Sequence, residues 1–593
     1  MTASERLNAL RKRMDECDVD AYAISSSDPH QSEYPAGHWK IREWLSGFTG
    51  SAGFLVVTRK EAHLWTDSRY FIQAERELAE TPITLQKLSV PHTPEYVEWL
   101  KQNLPRGSTL GLDGRLFSHG QMMFFHKHLD SRDIDIRSDL DLVSAIWKDR
   151  PPLPEDEVFM HPLEFAGLSR EEKIDRVRAE LEEDYLLIST LDDIAWLLNL
   201  RGTDVPFNPV FLAYLLVGKR SLHLFINEKK IPGSIATELE EATVRIHPYE
   251  DIYRFLEDLP ESRIVRLDSR TVNEKLYSSL MSSQCRKADN IVRNLKAVKT
   301  EAEIAHIRNA MKKDGVALCK LFRFLEKRLA SGEILSEYEL AQQLARYRQA
   351  QDDYYGESFP AIVGYGSNGA IVHYRPEENG SATLKPEGIL LLDSGGQYMD
   401  GTTDITRTVA LGEPTPRQKL HYTLVLKGHI GLAEITFPKG TTGTQLDILA
   451  RMHLWQEGLN YGHGTGHGVG YFLNVHEPPQ GISPGTATSR GTTPIRPGML
   501  TSNEPGFYKE GAYGIRIENL VLCVEKEETE FGHFYSFETL SLFPIDLKLV
   551  EEQMLNDSEK EWLQKYHEHV YEKLAPLLSP EEQAWLEEKC QPL

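Results

Sequence analysis

The stretch HGTGHGVGYFLNVHE, residues 463–477, sets His463, His467 and His476 among closely spaced glycines. Imidazoles titrate near neutral pH and ligate divalent metals, so the stretch is a phosphate cradle, a metal site or an ordinary loop. A phosphate cradle needs GxxxxGK[ST], or GxGxxG between a strand and a helix. No lysine follows here, and histidines occupy the key positions. His463 and His467 stand four apart, the spacing that puts both histidines of a helical HExxH on one metal. Gly462, Gly464, Gly466, Gly468 and Gly470 oppose a helix at about 1 kcal/mol each. The segment therefore reads as loop or strand, where glycines let backbone approach a crowded centre and the histidines take separate roles.

A metal site also wants hard carboxylates. In GILLLDSGGQYMDGTTDITRT, Ile389 to Leu392 reads as a buried strand ending at Asp393. Asp404 lies eleven positions on, past SGGQY turn chemistry, so a hairpin brings it back beside Asp393. A carboxylate at the end of a buried apolar run is costly unless something compensates it, although a turn-capping Asp at each place is the plainer alternative. PGMLTSNEPGFY puts Glu504 after an apolar turn, and YGIRIENLVLCV puts Glu518 inside a strand with Ile515, Ile517, Leu520 and Val521. Taken alone, Glu518 is explained by a salt bridge to Arg516. Four such acids with His467 in one region favour a cation. His421, His429 and His453 lie in helix-like stretches with no acid pattern and read as ordinary core or surface histidines.

Other elements must hold this chemistry. ASERLNALRKRMDE, DAYAISS, IREWLSGFTG, GFLVVT and TLGLDGR are echoed in order by SREEKIDRVRAELEE, DYLLIST, IAWLLNLRGTD, FLAYLLVG and RIVRLDSR. Trp44 and Trp196 are 152 apart, Asp113 and Asp268 155 apart, so the offset is nearly constant and points to duplicated α/β domains. Pro151, Pro152 and Pro154 mark a linker. Beyond the second copy, Ile304, Ile307, Met311, Val316 and Leu318 recur among charged residues as an amphipathic helix opening a third unit. Near the end, Ser579 and Pro580 read as the N-cap and first residue of a last helix.

Composition excludes several classes. A net charge of -23 repels phosphate backbones and anionic membranes, so neither nucleic acid nor membrane is a partner. The N-terminus lacks a signal-peptide core and no long apolar run follows. Five scattered cysteines show no CxxC spacing, and a reduced, cytoplasmic setting fits.

The order Asp393, Asp404, His467, Glu504, Glu518, with HGTGHGVGYFLNVHE, NEPGFY and GIRIEN, resembles the dinuclear metallopeptidases of the pita-bread fold. That family holds aminopeptidase P, prolidase and methionine aminopeptidase, with metal-free relatives such as creatinase. FTGSAGFLVV and TDSRYFIQA, in the duplicated domains, look like its cytosolic three-domain aminopeptidase P type. The resemblance implies an α/β chain of two creatinase-like domains, 1-160 and 161-298, before a pita-bread catalytic domain with a helical extension, 299-593. It implies two divalent ions: Asp404 and Glu518 bridging, Asp393 completing one, His467 and Glu504 the other. Oxygen-rich ligation favours Mn2+, with Zn2+, Co2+ and Fe2+ as alternatives.

The implied reaction is removal of an N-terminal residue before a penultimate proline by a metal-bridged hydroxide, with proline-second peptides as partners and a homodimer through the C-terminal unit. His373, in GSNGAIVHYRP, and His476 match family positions that contact substrate or stabilise the tetrahedral intermediate; His463 matches one near the amino side of the substrate. Glu504 relays a proton to the leaving nitrogen, and Arg516 orients a carboxylate. Prolidase shares the centre but carries one N-terminal domain. Methionine aminopeptidase needs few of the roughly 300 residues before this unit. A peptide-binding module that has lost catalysis is a third reading, opposed by the presence of all five ligand positions.

Overall fold

Two six-stranded sheets in the first half of the chain share one strand order, in a computed structural model that describes residues 1–89, 93–485 and 489–593. The backbone forms two units, residues 1–163 with 168–294 and residues 164–167 with 295–593. In the first unit, the first sheet runs Thr84–Lys87, Ala62–Thr66, Phe54–Thr58, Ala21–Ile24, Thr109–Gly111, Asp135–Arg137. The second runs Val244–His247, Leu222–Ile226, Ala213–Gly218, Tyr185–Ile188, Val265–Leu267, Cys285–Lys287. Each has antiparallel ladders at its centre and parallel ones towards both edges.

The duplication read from the sequence is therefore a duplication of topology. Trp44 sits on the helix Ile41–Ser46 that follows the Ala21–Ile24 strand, and Trp196 on Leu191–Leu198, which follows Tyr185–Ile188. Asp113 and Asp268 each follow a parallel strand and clamp the arginine two positions on. The shorter bond of each fork is 2.6 Å from Arg115 Nη2 and 2.8 Å from Arg270 Nη2. Such two-bonded Arg–carboxylate pairs fix the turn after the strand in both copies. Residues 151–158, holding the linker prolines, form no regular element.

In the second unit, Glu301–Ala330 is the expected amphipathic helix: Thr300 and Glu303 form its capping box, and Ile304, Ile307, Met311, Val316 and Leu318 are all buried. Against it and the helices Glu337–Gln349, Pro416–Glu434, Gly443–Gln456 and Asp557–Leu574 lie antiparallel ladders. Three matter for the acids and histidines. The strand Ile389–Ser394 pairs with Ile362–Tyr365 on one side and Ile405–Ala410 on the other. Leu500–Asn503 lies between Asn519–Thr529 and the short strand Gly466–Gly468. Gly506–Lys509 and Tyr513–Arg516 form a hairpin. The closing helix, Pro580–Lys589, starts at the Ser579 cap.

His429, on Pro416–Glu434, and His567, on Asp557–Leu574, are buried and built in as neutral rings. Asn519 donates to His429 Nε2 at 3.1 Å and the Ile545 amide to His567 Nε2 at 3.0 Å. Burial depresses them to about 3 and about 4. Below the ordinary imidazole value of about 6.5, the unfolded chain takes up these protons and the folded one does not, so stability falls as pH falls. Chemical denaturation of the whole chain between pH 7.5 and 5 is expected to show His567→Gln losing less stability than the natural chain as pH falls; an equal loss in the two would refute the assignment.

Candidate metal centre

Asp393 and Asp404 come together by the hairpin their spacing suggests. Asp393 lies opposite Thr406 in the register of Ile389–Ser394 with Ile405–Ala410, and Asp404 immediately precedes the returning strand. Both are buried, and on each one carboxylate oxygen, Oδ1, has no hydrogen-bond partner among the described residues. The other Asp393 oxygen accepts from Arg516 Nη2 at 2.5 Å and Nε at 3.2 Å. Arg516 thus pairs with Asp393, not with Glu518.

Glu518 departs from the sequence reading. It is not inside a strand but in the two-residue break between Tyr513–Arg516 and Asn519–Thr529, where the chain leaves the hairpin for the large sheet. Its amide donates to Thr406 O at 3.1 Å and its Oε2 accepts from Thr406 Oγ1 at 2.8 Å. This crossing brings the carboxylate to the Asp404 side chain, while Arg516 pairs with Asp393. Glu504 follows the buried strand Leu500–Asn503, not an apolar turn, and its amide donates to Thr465 O at 2.8 Å.

His467 sits in the strand Gly466–Gly468. A Cβ at Gly466 would stand 2.0 Å from Ser502 O, and one at Gly468 2.2 Å from Glu477 O, so only glycines let this strand fit between its neighbours. His467 Nδ1 is 3.0 Å from Gly468 O and carries the proton, leaving the Nε2 lone pair facing Asp404 at 3.5 Å and Glu504 at 3.7 Å. Those separations exceed a hydrogen bond, whereas two ligands at about 2.1 Å from one ion stand about 3–4 Å apart. Asp404, His467 and Glu518 each offer a ligand atom, all within 4.8 Å of one another. Asp393 and Glu504 join this trio through their fields. Burial and then Asp393 push Asp404 well above the carboxylate range, burial and then Asp404 do the same to Glu518, and burial with Glu518 raises Glu504 to about 7. Orphaned acid oxygens, a lone pair aimed at carboxylates and mutual repulsion all fit a missing positive charge.

The other histidines surround this group. His476 packs its ring edge-on against His467, centroids 4.3 Å apart. His463 Nδ1 lies 2.7 Å from Gly464 O, so its Nε2 accepts from the Tyr508 hydroxyl at 2.8 Å. Tyr508 in turn accepts from Arg516 Nη1 at 2.6 Å. His373 is half-buried in the turn after residues Gly366–Ala370, and Arg516 Nη2 reaches the preceding Val372 O at 3.4 Å. Arg516 thereby joins Asp393, His463 through Tyr508, and the His373 turn.

Two residues here escaped the sequence reading, Thr406 and Tyr508, while His429, expected as a core or surface histidine, is a core one. His429 is not a bystander, since its Nδ1 meets Asn503 O at 3.1 Å and its Nε2 meets Asn519, tying the neighbours of Glu504 and Glu518 together. The tyrosine in NEPGFY was the one available signal, lying four positions after Glu504 in a motif already singled out.

Comparison with known proteins agrees with this architecture. Residues 305–525 match the model of metallopeptidase family M24 and 533–593 its C-terminal region; 6–143 and 149–303 each match a creatinase/prolidase N-terminal domain. The chain is 40% identical over 611 residues to the probable Xaa-Pro aminopeptidase P of Laccaria bicolor, covering 100% of this chain and 94% of that one. It is 39% identical over 636 residues to aminopeptidase P2 of Arabidopsis thaliana, covering 100% and 89%. The crystal structure of X-prolyl aminopeptidase from Caenorhabditis elegans, a cytosolic enzyme with a di-nuclear active site, superimposes with a TM-score of 0.96 at 36% identity and full coverage of both chains. The chain therefore belongs to metallopeptidase family M24, in its aminopeptidase P branch, with two creatinase-like domains before the pita-bread domain.

Proposed function

We propose that this chain is a metal-dependent hydrolase that removes the N-terminal residue from peptides whose second residue is proline, using a centre built by Asp393, Asp404, His467, Glu504 and Glu518. The observation that carries the reading is the mutually repelling set of acids around the His467 lone pair, with an unpartnered oxygen on each of Asp393 and Asp404 among the described residues. Asp393, Asp404, His467, Glu504 and Glu518 would hold two divalent ions. When bound, they supply Lewis acidity, activating water and polarising the scissile carbonyl. Four carboxylates against two divalent cations and Arg516 leave one positive charge in excess, which suits an anionic nucleophile. Four acids and one imidazole, without thiolates, favour Mn2+.

The remaining roles belong to the chain itself. His373 and His476, both partly exposed, offer donors to the substrate carbonyl and the developing oxyanion. His463, held through Tyr508, faces the amino end of the substrate. Glu504, 3.7 Å from His467 Nε2, is the group to pass a proton to the leaving proline nitrogen. Proline's tertiary amide lacks an N–H and fixes φ, which makes a dedicated site necessary.

The same reading divides the chain at 1-160, 161-298 and 299-593, places it in the cytoplasm as described for the Caenorhabditis elegans enzyme, and makes it a homodimer. Support for the dimer is an exposed apolar stripe, Ile448, Met452 and Trp455, along one face of Gly443–Gln456.

Three measurements test these statements. Metal-stripped enzyme should be inactive on Xaa-Pro-Xaa tripeptides and regain activity with Mn2+ more than with Zn2+ or Co2+. Preference for Xaa-Pro dipeptides would instead make it a prolidase, and metal-bound but inert protein a binding module. A carboxyl whose folded pKa is raised loses stability as pH rises through that window, so stripped enzyme should become less stable between about pH 4.5 and 7. The gap in Tm between loaded and stripped protein should therefore widen from pH 5 to pH 7.5; a constant gap would remove the electrostatic argument. Sedimentation equilibrium of Ile448→Glu/Met452→Glu should give a monomer where the natural chain is a dimer.

A further inference from the structure

Glu337 opens the helix Glu337–Gln349, is completely buried, and is not among the acids of the metal centre. Its Oε1 accepts from the Tyr365 amide at 2.7 Å and Asn368 Nδ2 at 3.0 Å. Its Oε2 accepts from the Tyr374 hydroxyl at 2.8 Å, the Ala382 amide at 2.8 Å and, at 3.1 Å, Asn368 Nδ2 again. Three of these four donor residues bracket one short stretch: Tyr365 ends the strand Ile362–Tyr365, Asn368 lies in the turn, and Tyr374 directly follows His373. Ile362 of that strand pairs with Asp393, so one end of the stretch is in register with the metal centre.

The other side of the stretch is packed backbone to backbone. A Cβ at Gly514 would stand 1.7 Å from Gly369 O, which fixes the turn on the hairpin that carries Arg516. Between these two holds, the turn is braced by Ile371 N to Asn368 O at 3.1 Å, by Tyr374 N to Ile371 O at 3.0 Å and by the Arg516 contact to Val372 O. We propose that Glu337 is a positioning residue for the peptidase reaction: its carboxylate gathers Tyr365, Asn368, Tyr374 and Ala382 and thereby sets where His373 meets the substrate. The proposal rests on the reading of His373 as a substrate-contacting residue. Only a carboxylate serves, because four donors need an acceptor with two oxygens and no hydrogens; an amide turns two N–H groups towards donors.

The test is a double-mutant cycle in the full-length, Mn2+-loaded enzyme with a Xaa-Pro-Xaa tripeptide. Glu337→Gln is expected to lower kcat about 10²-fold, the scale of a catalytic group misplaced by about an ångström, with KM and metal content little changed. Tyr374→Phe, which removes one donor, should give a smaller loss of the same kind. Neither substitution should lower kcat further in a His373→Ala background. Full activity of Glu337→Gln, loss of bound metal, or additive losses with His373→Ala would each overturn the proposal while leaving the His373 assignment standing. Full activity of His373→Ala would instead overturn that assignment, and the proposal with it. Where Glu337→Gln fails to fold, Tyr374→Phe and Asn368→Ala carry the same cycle, and additivity there is equally decisive.

Discussion

Four carboxylates share one buried space with a single guanidinium, and most of the second unit's architecture around them is arranged to make that possible. Buried acids repel and lose hydration, so each has to be anchored by the protein or it would swing away or protonate. Asp393 is held by Arg516, Glu518 by Thr406 and Glu504 by its backbone bond to Thr465. Each anchor comes from a different segment of the chain than the acid it restrains. The acids therefore stay together because several sheets converge, not because any local segment favours it.

The strand Ile405–Ala410 illustrates how convergence is achieved. Its period of two sends Thr406 towards Glu518 and Arg407 to the opposite side. There Arg407, fully buried, donates to the carbonyls of Glu518 and Phe543, to Asn519 Oδ1 and to the Tyr566 hydroxyl. Those partners lie at the chain crossing that carries Glu518, in the segment after the strand Gly532–Thr539 and on the helix Asp557–Leu574. One strand thus fixes the glutamate side chain with its inner residue and the backbone beneath it with its outer one. His429 adds a neutral clamp between Asn503 and Asn519, and a ring that took up a proton there would lose the acceptor Asn519 uses.

The parts of this design legible in the sequence are those written in local periodicity. Four apolar residues before Asp393 gave its strand, and eleven positions gave the hairpin to Asp404. Alternating glycines excluded a helix around His467, and constant offsets gave the duplicated sheets. What escaped depends on contacts far apart in the chain. Arg516 and Glu518 are two apart, and a continuous strand would put them on one face as a pair; the chain instead changes sheets at Ile517, and Arg516 finds Asp393 123 positions away. Thr406 and Tyr508 are ordinary residue types whose importance appears only when strands distant in sequence are brought into register. His429 is the core histidine that its helix suggests, but its partners, Asn503 and Asn519, stand beside two acids.

The anchors also decide how the centre meets a cation. A flexible cluster of acids would collapse onto one ion and adapt to its radius. Here the tautomer of His467 is fixed by Gly468 O, its strand is wedged by two glycines with no room for a side chain, and Asp393 and Glu518 each have one oxygen already engaged. The atoms that remain, Asp393 Oδ1 and Asp404 Oδ1, have no hydrogen-bond donor among the described residues. Their positions are set before any ion arrives, so selectivity has to come from how well an ion fits that fixed set of donors, and the repulsion stored among them is relieved only by charge placed at that spot.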